Sequence, residues 1–156
     1  MSLPESVVVD FLASFPGLDT MRDAHARFFF YDPDRDTPHD KRQPFATVVD
    51  ADDYDGERVS DLSRPGVYRV NAGVSRETYR ALFGPEPPWG KGGGPVDTGH
   101  DFSVLDTFLP HPVYAPMSWI CILSPSEANW PRLQEHLREA HALALRRYER
   151  HRSSTG

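Results

Sequence analysis

The closing stretch "SPSEANWPRLQEHLREAHALALRRYERH" constrains the fold more than any other part of the chain. Leu133, Leu137, Ala140, Ala144 and Tyr148 recur every three or four residues and share one face of a helix. A one-faced helix draws most of its stability from packing, so the rest of the chain has to offer it an apolar surface. Four short segments can do so. "ARFFFYD", "PFATVVD", "VYRVNAG" and "MSWICIL" are rich in aromatic and β-branched residues and bounded by turn formers, the pattern of strands. In the third, Val67 falls on one face and Tyr68 with Val70 on the other. "MSWICIL" is apolar throughout and is expected at the centre of the sheet.

Two further helices are expected. In "SLPESVVVDFLASFPG", Ser2 and Glu5 have capping-box spacing and Pro4 suits a first turn. Val7, Val8, Phe11, Leu12 and Phe15 form one stripe, and Pro16-Gly17 ends it. "SRETYRALFG" is a short helix capped by Ser75 and closed by Gly84. "FSVLDTFLP" is read as one or two helical turns. The loops are Asp32 to Pro44, the acidic "ADDYDGERVSDLSRPG", and "PEPPWGKGGGPVDTG", a Gly/Pro-rich stretch around Lys91 with the composition of a mobile loop or lid. The expected fold is α+β: an antiparallel sheet of four to six strands with N-terminal and long C-terminal helices packed on one face. Residues 1–152 form one domain and 153–156 a frayed tail.

Charge is uneven. The net charge is −6, which argues against nucleic acid as the main partner. Asp32 to Asp61 holds ten acidic and four basic side chains, whereas Trp130 to the end holds six arginines and three glutamates. Both are read as solvated surfaces. The single cysteine, Cys121, excludes an internal disulfide and reads as a small buried hydrophobe. No apolar run is long enough to span a bilayer and no signal peptide is visible, so a cytoplasmic location is expected.

No chemical motif is complete. Asp32, Asp34 and Asp36 open like a calcium loop, but Thr37 and Gln43 stand where it needs glycine and glutamate. Gly84 to Lys91 has the wrong spacing for a phosphate loop, and Gly92 replaces its hydroxyl residue. His136 and His141 lie about 140° apart around their helix and cannot grip one ion. Neither a metal nor a cofactor is expected.

The best constellation is "LPHPVYAPMSW". Its prolines fix the backbone, and His111 and Tyr114 on that frame are a candidate acid/base pair. Asp32, leaving an aromatic strand, is a third candidate at a pocket mouth, where burial would raise a carboxyl pKa. Phe28, Phe30 and Trp119 would line the pocket. Arg69 and Asn71, if their face of the sheet is open, would orient an anion or carbonyl.

"FFFYDPD", "PFATVV", "DLSRPGVYRVNAGVS", "HPVYAPMSWICILSPS" and the final helix resemble an uncharacterised domain family of high-GC Gram-positive bacteria, an origin that fits the preference for arginine over lysine. That family is distantly similar to MmcQ/YjbR-like domains, whose outline is matched by "SFPG", Trp119 and the helix ending at Tyr148. The resemblance implies an antiparallel sheet with a closing helix and carries over no catalytic residue.

The functional expectation is a small-molecule-binding protein. One form of it is a cofactor-free acid/base enzyme, of cyclisation or dehydration type, in specialised metabolism. The alternative is a DNA-binding or protein-interaction module without catalysis, its footprint Arg146, Arg147, Arg150 and Arg152. A free sheet edge would also allow a homodimer.

Overall fold

The structure, a computed structural model, describes residues 2–52 and 57–155. Residues 53–56 of the acidic connection and Gly156 of the expected tail lie outside the described residues.

Six strands form one sheet in the order β1-β2-β3-β4-β6-β5, every neighbouring pair antiparallel. They are β1 (Leu18–Asp23), β2 (Ala26–Tyr31), β3 (Ala46–Val49), β4 (Arg69–Gly73), β5 (Leu109–Pro110) and β6 (Trp119–Leu123). The helices are α1 (Glu5–Ala13), α2 (Arg76–Phe83) and α3 (Trp130–Thr155). The α+β expectation holds; "MSWICIL" supplies the fully buried strand β6, which lies second from the edge, between β4 and β5, and not at the centre of the sheet.

Strand alternation divides the core in two. Phe29, Val48, Val70, Ala72, Ile120 and Ile122 point to the helices and meet Val8 and Leu12 of α1 and Leu133, Leu137, Ala140 and Ala144 of α3. Tyr68 joins this face, and Val67 the other, as the alternation requires. On that other face Ala26, Val49, Cys121 and Leu123 are covered by Leu62 and Val67 from the connection between β3 and β4.

Several local expectations change. Ser2 pairs with Ser126 in an antiparallel bridge, so its side chain does not cap α1; the N-cap is Pro4, without a side-chain hydrogen bond. Val7 is turned outward, while Val8 and Leu12 carry the buried stripe. "LDTMRD" forms edge strand β1, which had no strand signature because its last four residues are exposed. It is reached through Gly17 at φ +73°, where a Cβ would also run into the Tyr31 ring. The "FSVLDTFLP" segment is not helical: Leu105 bridges to Leu123, and Leu109–Pro110 pair with Cys121 and Ile120 as β5. Ser75 and Gly84 do bound α2, the Ser75 hydroxyl accepting from the Thr78 amide at 3.0 Å. Helix α3 continues to Thr155, through the expected tail.

Candidate functional site

The predicted site residues fall in three places. His111, Tyr114 and Trp119 do come together, with ring centroids 4.9 Å (His111–Tyr114) and 6.2 Å (His111–Trp119) apart. His111 is fully buried, and its Nδ1 accepts from the backbone amides of Val113 and Tyr114, both at 3.0 Å. The ring proton therefore sits on Nε2. With Nδ1 occupied by two backbone donors, this histidine organises the Pro112–Tyr114 turn.

Arg69 and Asn71 share a face as expected, but that face is closed. Both are buried beneath the segment carrying Glu57 and Ser60. Arg69 pairs with Glu57, donates from Nε to Asn71 Oδ1 at 2.8 Å, and reaches Ser60 Oγ at 2.8 Å. Asn71 continues the chain of bonds to Thr47 Oγ1 at 2.8 Å. Ser60 in turn donates to Glu57 from both its amide and its hydroxyl. This ladder ties β3 and β4 to their connection. Phe28 packs against the same side of the sheet.

Asp32 and Phe30 lie elsewhere, where the β2 exit meets the C-terminal half of α3. Asp32 is buried and holds the loop that follows it. Its amide donates to Gly17 O at 2.9 Å, its carbonyl accepts from the Arg35 amide at 3.0 Å, and its Oδ1 accepts from the Thr37 hydroxyl at 3.0 Å. The loop then makes a 3-10 turn over His39–Lys41 and delivers Arg42 back onto the sheet. The Arg42 guanidinium lies over the Phe30 ring at 4.0 Å, and the side chain is only 5% exposed. Its Nη1 pairs with Asp19 and stands 3.8 Å from Asp32 Oδ2. The Arg42 hydrogen bond holds the Asp19 carboxyl below its usual pKa. The Nε of Arg42 is buried and has no hydrogen-bond partner.

This corner opens into a cleft of about 310 Å³. It is lined by Phe30, Tyr31 and Thr37–Pro38, by Lys41–Gln43, and on α3 by Ala144, Arg147, Tyr148 and His151. Three of these residues are permanent cations and none is acidic. Arg147 lies partly out of water, which together with nearby Arg150 lowers its pKa; a guanidinium nonetheless stays charged near neutrality. The aromatic wall is built from ring contacts. Tyr31 and Tyr148 meet edge to face at 5.4 Å, and Tyr31 also meets His141, which stacks on Phe15 at 4.7 Å. His141 Nε2 lies 2.9 Å from Pro16 O and donates to it. At the rim, Arg152 pairs with Asp34 and Asp36, and the Tyr148 hydroxyl reaches Asp36 at 3.0 Å. The acidic and arginine-rich stretches thus meet here instead of facing water separately.

Sequence reasoning missed Lys41 and Arg42, and assigned Arg147 to a nucleic-acid or protein footprint instead of a pocket wall. The available signal was "KR" inside an otherwise acidic loop, opposite the Arg147–His151 pair one helical turn apart.

Residues 3–153 match the model of a family of unknown function, DUF6194, and the chain belongs to that family. None of the curated proteins and none of the solved structures matches it.

Proposed function

We propose that this protein binds a small anionic molecule in the cleft between the Asp32–Pro44 loop and α3. The observation that carries this reading is the lining itself: Lys41, Arg42 and Arg147 with no carboxylate among the lining residues, set on an aromatic wall. An anionic ligand would complement the positive charge that Lys41 and Arg147 bring to the same lining. Pockets of a few hundred Å³ with an apolar wall and a few convergent polar groups are typical ligand sites.

The acid/base form of the expectation draws less support. His111 Nδ1 is already occupied, and the Asp32 carboxylate accepts from Thr37 within its own loop. Binding without catalysis is the simpler account of the geometry. The nucleic-acid alternative loses part of its footprint, since Arg152 pairs with Asp34 and Asp36 and Arg147 faces the cleft. A homodimer through the β1 edge would have to accommodate Asp19, Arg22 and Asp23, which discourage edge pairing. The MmcQ/YjbR likeness, the bacterial origin and a cytoplasmic role in specialised metabolism are part of the proposal. Among the described residues, no helix is long and apolar enough to cross a membrane.

The test is a thermal-shift screen of small anions, each beside a neutral analogue, on the parent protein and on Lys41→Ala/Arg147→Ala. The expected result is a rise in Tm with a subset of anions that the double variant loses. A hit that raises the double variant's Tm equally would place binding elsewhere.

A further inference from the structure

The charges and shape of this cleft select among anions. Resting on the reading above, we infer that its ligand is a small planar monocarboxylate, an aryl or similarly conjugated acid, and not a phosphate ester.

The first argument is the form of the cationic group. The Arg42 guanidinium carbon lies 4.0 Å from the Phe30 ring centroid, and the side chain is only 5% exposed. Asp19 and Asp32 occupy the Nη1 side, while Nε has no partner. A guanidinium on the lining, from Arg42 or Arg147, matches a carboxylate, which accepts two parallel bonds in one plane. Lys41 and Arg147 stand on the same lining and supply the remaining charge.

The second argument is charge number. Asp19 and Asp32 set two carboxylates against the single Arg42 cation, so the surplus positive charge of the lining rests on Lys41 and Arg147. The α3 residues at the cleft, Ala144, Arg147, Tyr148 and His151, lie within the body of that helix. Phosphate sites more commonly use a helix N-terminus or a nest of backbone amides. The lining draws on no α-helix N-terminus. One negative charge is better matched than two.

The third argument is the wall. Phe30, Tyr31 and Tyr148 give the cleft flat apolar surfaces, and its volume of about 310 Å³ is at the small end for ligand pockets. A body of roughly one or two rings fits that volume. Ring stacking would favour a planar body over a flexible aliphatic acid.

The experiment is calorimetric titration of the full chain with 2-naphthoate, 2-naphthamide and 2-naphthyl phosphate, repeated on Lys41→Ala/Arg147→Ala. Naphthoate should bind, the amide should bind about tenfold or more weakly, the phosphate should bind more weakly than naphthoate, and the double variant should lose about tenfold in naphthoate affinity. If the phosphate binds more tightly than naphthoate and the double variant loses it, the carboxylate assignment falls while the anion cleft stands. If the amide binds as well as naphthoate, charge does not select the ligand and the inference is overturned. If none of the three binds and the anion screen is also blank, the cleft reading falls with it.

Discussion

Replacing Arg69 by methionine should destabilise the protein severely and leave the α3 cleft untouched. Arg69 is 1% exposed, and its Glu57 partner is 4% exposed. Removing the guanidinium leaves a buried carboxylate without its counterion and strips donors from Asn71 Oδ1 and Ser60 Oγ. Breaking one side of a buried ion pair costs about 3–5 kcal/mol. In a domain of this length each kcal/mol moves Tm by about 2–4 °C, so Tm should fall by roughly 6–20 °C. Urea unfolding at pH 7, followed by far-UV circular dichroism, reads the same loss as a lower midpoint with an unchanged slope. Adding Glu57→Leu to Arg69→Met should restore about 2 kcal/mol or more, because the pair then disappears together. An Arg69→Met protein within about 1 kcal/mol of the parent would refute this reasoning, since an open, ligand-orienting arginine would behave that way.

Other substitutions probe separate parts of the account. A Cβ on Gly73 would sit 2.9 Å from Trp119 Cε2, so Gly73→Ala should cost about 1–3 kcal/mol in chemical denaturation. Burial pushes the Tyr79 hydroxyl from its ordinary 10.0 up to about 12, so the unfolded chain ionises first as pH rises. The stability from that group is complete below pH 10 and is lost as pH climbs towards 12; in Tyr79→Phe, urea midpoints across that window should decline less steeply. Burial lowers the His136 pKa below 6.5, and its Nε2 has no partner. Its contribution is present above pH 6.5 and shrinks as pH falls, so His136→Leu should gain stability over the parent at pH 5.5 relative to pH 8.

What was legible in the sequence was whatever carries a strong apolar period. Leu133, Leu137, Ala140 and Ala144 announced α3, and β2, β3, β4 and β6 announced themselves by composition. Strand β1 did not, because Asp19, Arg22 and Asp23 suit a charged sheet edge and the hairpin with β2 holds the strand in place. Two-residue β5 is too short for any period to show. Phe108 and Leu109 sit at helical spacing from Leu105, yet tertiary pairing with β6 overrides it. The proline frame around His111 correctly gathered Tyr114 and Trp119, but the turn that fills Nδ1 is a matter of backbone course, which residue types do not reveal. Arg69 and Asn71 were placed on one face correctly; that Glu57 folds over them depends on the path of a long connection. The cleft joins Lys41 and Arg42 to residues about a hundred positions later, a separation at which no local pattern can speak.

The most direct test of the central claim is a nitrogen–proton NMR titration of the labelled protein with the anion that gives the largest thermal shift. The account predicts saturable changes centred on residues 37–43 and 144–151, with the Arg42 Nε–H resonance among the most displaced. Saturable changes centred instead on Tyr114 and Trp89, with the cleft resonances still, would contradict it.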